Sequence, residues 1–307
     1  MAGSIVVVGS SNTDMILQMD RIPRPGETIL GGRFSMAAGG KGANQAVGAA
    51  RAGGNVLFLA RVGNDLFGHQ ALDGFRRDGI DVRHVIQDEE EPSGVALIFV
   101  AAGGENSIGV ASGANRRLSP TDVQRASGAI AEADALVMQL ETPLETVQKA
   151  AEIAAAEHVR VILNPAPAQP LSGPLLRLVT ILTPNESEAE LLTGVAVTDE
   201  SSAKTAADAL RRQGVGTVII TLGSRGAFVS SEEFTGSVPA FDVQAVDTTA
   251  AGDVFNGALA VALAERQPLR SAVRFASAAA ALSVTKLGAQ PSAPSRADIE
   301  SFLKGRG

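Results

Sequence analysis

The 307 residues include no cysteine, no tryptophan and no tyrosine. Without cysteine there is no disulfide framework and no thiolate metal site. That fits a reducing compartment and sets the expectation of a cytoplasmic protein. Aromatic residues fall to 4%, leaving phenylalanine and histidine alone to stack on bases. The formal net charge is −7, and no run of Lys or Arg supplies the basic footprint of a nucleic-acid binder. No stretch reaches the about 20 apolar residues that a membrane helix needs. The Ala-rich segment Phe275–Val284 is shorter and is interrupted by Ser277 and Ser283. At the N-terminus, Ile5-Val-Val-Val-Gly9 follows no basic segment and is too short for the apolar part of a signal peptide. His69, His84 and His158 are spaced for no metal cluster and read as surface or helix-end residues. No Ser/His/Asp arrangement or nucleophile elbow occurs. These absences leave a soluble intracellular enzyme or binding protein, with neither nucleic acid nor membrane among its partners.

What is present is apolar: 45% of residues, against 19% charged, enough for a sizeable core. Short runs of Val, Ile and Leu recur at Ile5–Val8, Val56–Ala60, Leu136–Leu140, Val159–Leu163, Val179–Leu182 and Val218–Thr221. Most lack polar alternation, as strands covered on both faces do. Helical patterns lie between them at Gly42–Ala52, Leu144–Glu157, Glu186–Leu192, Ser201–Gln213, Gly252–Glu265 and Leu269–Lys286. Ser119-Pro120-Thr121-Asp122 starts a further helix, with Ser119 as N-cap and Pro120 in the first position. Strand and helix in alternation predict an α/β fold, a mostly parallel central sheet with helices on both faces. Two stretches break the rhythm. Asp14–Phe34 runs through the turn Pro23-Arg24-Pro25-Gly26, and Gly94–Val110 reads as two extended segments joined by Ala102-Gly103-Gly104. Both predict antiparallel strands outside the main sheet, a small inserted layer able to act as a lid.

Four sites could carry chemistry. In Ala37-Ala-Gly-Gly-Lys-Gly-Ala-Asn-Gln-Ala46, the glycines let backbone approach a ligand, and Lys41 and Asn44 add donors suited to hydroxyls. Read alone, the same residues are also an ordinary glycine turn opening a helix. The segment is not a Walker A loop, because Gly42 follows Lys41 where Ser or Thr is required. Asn12 and Asp14 follow the first strand, either as a polar turn or at the carboxyl edge where open parallel sheets hold ligands. Asp247-Thr-Thr-Ala-Ala-Gly-Asp253 places small residues at a helix start, baring N–H groups of Ala250, Ala251 and Gly252 as an anion hole. Asp253 stands at its edge, either as a proton acceptor or as a residue that neutralises the helix start. The last set comprises the strand-end groups Glu141, Asn164-Pro-Ala-Pro167, Asn185-Glu-Ser-Glu188 and Thr221-Leu-Gly-Ser-Arg-Gly226. One common ligand face would join them.

Together the residues resemble the ribokinase-like, or PfkB, carbohydrate kinase family, nearly end to end. Two signatures carry the likeness, Gly-Gly-Lys-Gly-Ala-Asn-Gln-Ala at 39–46 and Asp-Thr-Thr-Ala-Ala-Gly-Asp at 247–253, roughly 200 residues apart. Asn12 with Asp14, Gln139-Leu-Glu141, Asn164-Pro-Ala-Pro and Gly288-Ala-Gln-Pro-Ser292 narrow it to the ribose-phosphorylating branch. The resemblance implies one kinase domain over 1–307, with a β-lid formed by about 14–36 and 94–110 that also makes a homodimer interface. It implies ATP-dependent phosphorylation of D-ribose at O5, in ribose catabolism. Asn12, Asp14, Gly40, Lys41, Asn44 and Glu141 would hold the sugar, and Asp253 would take the hydroxyl proton beside the amides of Ala250, Ala251 and Gly252. Asn185, Thr221, Gly223, Ser224, Gly226, Gly252 and Ser277 would line the ATP site, and Asn185 with Glu188 would help place Mg2+. An activating K+ would sit at Asp247, Thr249, Ser283, Lys286, Gly288 and Ser292. The wider family often has glycine where Ala250 stands, and alanine suits that position if its φ is negative. Relatives can carry a larger side chain against adenine at the place of Ser277. The resemblance leaves open 2-deoxyribose, another sugar or a nucleoside as acceptor, and a non-catalytic sensor that keeps the fold.

Overall fold

A computed structural model describes residues 3–306. The chain opens with β1 (Ser4–Val8), then leaves the main sheet through β2 (Asn12–Met19) and β3 (Arg33–Gly39). It returns by α1 (Lys41–Arg51) to β4 (Asn55–Gly63) and passes through α2 (Leu66–Arg77) to β5 (Asp81–Asp88). It leaves again as the hairpin β6 (Gly94–Ala101) and β7 (Asn106–Ala111). Short helices α3 (Pro120–Arg125) and α4 (Ser127–Ala131) lead back to β8 (Ala135–Met138). Alternation follows: α5 (Leu144–Ala156), β9 (Arg160–Leu163), α6 (Gly173–Leu176), β10 (Ile181–Leu182), α7 (Glu186–Thr193), α8 (Glu200–Arg212) and β11 (Thr217–Thr221). The hairpin β12 (Ala227–Ser230) and β13 (Thr235–Val238) precedes α9 (Ala251–Ala264), α10 (Leu269–Ser283) and α11 (Arg296–Lys304).

The nine-stranded sheet has the order β13-β12-β11-β10-β9-β8-β1-β4-β5. It is parallel from β11 to β5, with the hairpin β12–β13 as an antiparallel edge. Ile5 and Val7 of β1 face a core built with α1, α9 and α10, while Val6 and Val8 face a second core built with α3, α4, α5 and α8. A strand buried on both faces needs apolar side chains at every position, which is why these runs were legible. Because β4 and β8 flank β1 on opposite sides, strand order reverses at β1. The crevice beyond its carboxyl end is where an open α/β sheet receives a ligand.

Several elements differ from expectation. The strands β5, β12 and β13 and the helices α2 and α11 had no clear pattern. The eight residues of β5 are mostly half-buried and mix Asp, Arg, His and Gln with Val and Ile, as an edge strand does. His84 lies within it rather than at a helix end. On α2 only Gly68, Leu72 and Phe75 are buried, too thin a stripe to read as amphipathic. Near residue 180, β10 is only two residues long. The second sheet has the order β3-β2-β6-β7. Its two hairpin pairs are antiparallel as expected, but β2 and β6 run parallel. Both leave the main sheet at the carboxyl ends of parallel strands, so they rise in the same direction. Among the described residues, no helix is long and apolar enough to cross a membrane.

The helices α1 and α9 meet through small residues. A Cβ at Gly257 would lie 2.6 Å from Ala49 N and 2.6 Å from Gln45 O, and one at Gly48 would lie 3.3 Å from Val254 Cα. The backbones therefore nearly touch, and side chains at the start of α1 reach the start of α9. Gly257→Ala is expected to lower stability by about 1–3 kcal/mol through overpacking against main chain, outweighing the up to about 1 kcal/mol that alanine gains in a helix. Urea denaturation of both forms measures the difference.

Candidate active site

The loop after β1 carries buried Ser10 and Ser11, and α1 starts directly upon it. Gly40 has φ 90°, in the region that favours glycine. A Cβ there would come 2.7 Å from Asn12 N, and one at Gly42 would come 2.5 Å from Ser10 N. The Gly-Gly-Lys-Gly run thus lets α1 begin in contact with the strand end. Lys41, Asn44 and Gln45 then share one face at helical spacing.

That face looks at Asp253. Asn44 Nδ2 donates to its Oδ2 at 3.0 Å, and Gln45 Nε2 donates to its Oδ1 at 3.0 Å. Asp253 is 6% exposed. Burial pushes its carboxyl upward, and the positive Lys41 and the two amide donors pull against that, while Glu141 adds to the rise. In α9, Val254 N is the first amide paired within the helix, donating to Ala250 O at 2.9 Å. The N–H groups of Ala250, Gly252 and Asp253 have no protein acceptor among the described residues. Ala251 N is partly used, donating to Thr248 O at 3.3 Å. Gly252 is exposed, so the bare amides open outward. Ala250 is not at negative φ: it sits left-handed at φ 60°. The chain must turn sharply there from the preceding loop into α9, and alanine carries the strain that glycine would avoid.

After β8, Glu141 Oε2 accepts from Ser10 Oγ at 2.5 Å and from Lys41 N at 3.0 Å. Asp14 and Asn12 do not lie in a turn but on β2, as part of the second sheet. The Asp14 carboxylate lies over Gly39, where a Cβ would come within 2.3 Å of it. Burial pushes its pKa up to about 6, and Glu141 and Asp253 add repulsion. Asn12 Oδ1 accepts from the buried Asn115 at 2.8 Å, and the Asn12 amide donors have no protein acceptor among the described residues. Asn44 Oδ1 and Gln139 Oε1 are buried acceptors with no protein donor among the described residues. Buried acceptors of this kind suit a ligand that brings hydroxyls.

Toward α7, Asn185 caps the helix: its Oδ1 accepts from Glu188 N at 2.8 Å, and the Glu188 carboxylate accepts from Asn185 N and Nδ2 at 2.9 and 3.0 Å. Burial raises the Glu188 carboxyl, against Asn185 and Lys41. A β-bridge joins Asn185 to Thr221, and the turn beyond it has Gly223 at φ 55° and Gly226 at φ 95°. Ser224 is exposed on this turn, and Ser277 is half-buried on α10, which packs along α9. Of the residues expected around a monovalent ion, Asp247, Thr249 and Gly288 are joined directly, and the end of α10 meets them at Val284. Val284 O accepts from Val246 N and Asp247 N at 2.7 and 3.1 Å, and Asp247 accepts from Thr249 N and Gly288 N at 2.9 and 2.8 Å. Lys286 N donates to Ser283 O at 3.1 Å, and Ser292 is buried nearby in sequence.

Sequence reasoning named Asn164 only as a strand-end group and gave no site role to Ser10, Gln45, Gln139, Asn115, Thr183 or Asn256. The signal for Gln45 was present, since it lies four residues beyond Lys41 and next to Asn44. Asn115 sits in a one-turn helix, Gly113–Arg117, and nothing in its surroundings marks it.

The sequence pattern of the pfkB family carbohydrate kinases matches residues 2–296. The chain is 49% identical over 304 residues to a ribokinase of Haemophilus influenzae, covering 99% of each chain. It is 39% identical over 300 residues to a deoxyribokinase of Salmonella typhi, covering 97% of this chain and 98% of that one. The solved structure of Arabidopsis thaliana ribokinase complexed with ribose and ATP aligns with a TM-score of 0.92 at 34% identity, covering 99% of both chains.

The strain at position 250 gives a direct expectation. Ala250→Gly should raise stability by about 1 kcal/mol by removing the left-handed alanine. Thermal melting of the two forms checks it.

Proposed function

The chain belongs to the pfkB family of carbohydrate kinases, and from that premise we propose that it transfers the γ-phosphoryl group of ATP to O5 of D-ribose, giving D-ribose 5-phosphate and ADP. The observation that carries this reading is a buried carboxylate, Asp253, bonded on both oxygens and placed among unpaired amides at the start of α9. Phosphoryl transfer needs a proton acceptor and a cradle for developing charge side by side. Asp253 takes the O5 proton as that oxygen attacks phosphorus. The amides of Ala250, Gly252 and, more weakly, Ala251 donate to the transferring phosphoryl oxygens. Asn12, Asp14, Gly40, Lys41, Asn44 and Glu141 hold the sugar, and Lys41 also balances the carboxylates around it.

ATP lies along Asn185, the Thr221–Gly226 turn and Ser277. A Mg2+ would be carried by the triphosphate and water, with Glu188 and Asn185 beside it. Such an ion screens phosphate charge. The loops of Asp247, Thr249, Ser283, Lys286, Gly288 and Ser292 offer one carboxylate and several carbonyls, a donor set that fits K+. They tie the entry of α9 in place. The segments that form the second sheet act as a lid over the sugar. Its outer face is apolar: Phe34, Met36 and Leu97 are 58, 52 and 51% exposed, and they share a face with Met15 and Leu17 opposite Asp14. Two copies pairing by this face would cover it.

Initial rates of ADP release test the reading. D-Ribose is expected to be the preferred acceptor over 2-deoxyribose by kcat/KM, because a site built for a hydroxyl rejects the sugar lacking it, and K+ is expected to raise the rate. Preference for 2-deoxyribose would move the assignment to the deoxyribokinase-like reading, and ATP turnover with neither sugar would refute both. Asp253→Asn should fold and lose roughly 10²-fold or more in kcat. For association, sedimentation of the full chain should give a dimer and Phe34→Asp a monomer. A monomeric wild type would remove the pairing.

A further inference from the structure

Gln45 has no solvent exposure, so no substrate can touch it, yet it holds one oxygen of the carboxylate that takes the proton. Its amide orientation is set from three sides. Nε2 donates to Asp253 Oδ1 at 3.0 Å and to Asn164 Oδ1 at 3.2 Å, and Oε1 accepts from Gln139 Nε2 at 2.6 Å. The connection runs on, since Asn164 Nδ2 donates to Thr183 O at 3.0 Å and Thr183 Oγ1 donates to Asn256 Oδ1 at 2.7 Å. Asn256 Nδ2 donates to Gly252 O at 2.8 Å, the carbonyl of the peptide that leads into Asp253. Polar groups from the ends of β8, β9 and β10 and from α1 and α9 therefore close a loop on the start of α9.

We infer that Gln45 is a positioning residue for phosphoryl transfer, and that the Gln139–Gln45–Asn164–Thr183–Asn256 network aims the Asp253 carboxylate and the anion-binding amides as one unit. The inference rests on the kinase reading above. A carboxylate has about four lone-pair sites. One on each oxygen is taken by Asn44 and Gln45, which leaves the others directed at the pocket. A donor bonded to the charged form also favours ionisation against burial. The charged groups facing Asp253 are Lys41 on α1, Asp14 on β2, Glu141 after β8 and Glu188 on α7. None of them replaces the bond to Oδ1.

Gln45→Met keeps length and removes the donor. In the full chain with ATP and D-ribose, kcat at neutral pH should fall by about 10- to 100-fold, the scale of a misplaced reacting group. The acid limb of the kcat profile should move to higher pH, because a carboxylate with one donor fewer holds its proton longer. KM for ribose should stay within about threefold, since binding common to ground and transition states is untouched. Thr183→Val, nearly isosteric and at a buried position bonded to none of the proposed sugar-holding residues, should lower kcat in the same direction by less, and it carries the test if Gln45→Met does not fold. An unshifted acid limb, or loss seen mainly in KM, would overturn the inference while leaving the kinase reading standing. A wild type that releases no ADP with ribose would instead overturn that reading, and this inference with it.

Discussion

A buried carboxylate, the proton acceptor of the proposed reaction, sets the main constraint on this molecule. Asp253 is almost withdrawn from water, and an isolated ion there would take up a proton. Two side-chain amides and a nearby lysine oppose that tendency. Supplying them requires α1 to lie against α9 at nearly backbone distance, which Gly48 and Gly257 permit. It also requires α1 to begin on the loop after β1, which Gly40 and Gly42 permit. The positions of the glycines thus follow from the needs of one acidic group.

The sheet contributes the reversal of strand order at β1. Because β1 lies between β4 and β8, the ends of β1, β8, β9 and β10 deliver Ser10, Gln139, Glu141, Asn164 and Thr183 to one side. Three acids, Asp14, Glu141 and Asp253, converge there with Lys41, and burial, with repulsion from Glu141 and Asp253 added, raises the pKa of Asp14 to about 6. Such a pocket is electrostatically unfavourable by itself, and hydroxyl donors entering it would relieve the repulsion.

Much of this was legible from residues alone. Strands buried on both faces declared themselves as runs such as Ile5-Val-Val-Val8, and the family resemblance carried by the two signatures implied that Lys41, Asn44 and Asp253 serve one sugar. Elements with one thin apolar stripe did not declare themselves: α2 buries only Gly68, Leu72 and Phe75, and β5 mixes charge with aliphatic residues. Local conformation escaped as well. An alanine in sequence predicts negative φ, whereas the tied loop before α9 holds Ala250 at φ 60°. The amide network was invisible because Gln139, Asn164 and Thr183 are distant in sequence and converge only through parallel pairing of β8, β9 and β10.

The strand β2 serves two masters. Asp14 faces Gly39, Glu141 and Asp253, while Met15 and Leu17, its neighbours in the pleat, belong to the opposite, greasy face. Alternation at period two makes these assignments inseparable. A slip of one residue against β6 would bring a thioether over the pocket and strand an acid among aliphatic groups. Evolution of the outer surface is therefore confined to changes that preserve hydrogen-bond phase along that strand, whatever occupies the other side.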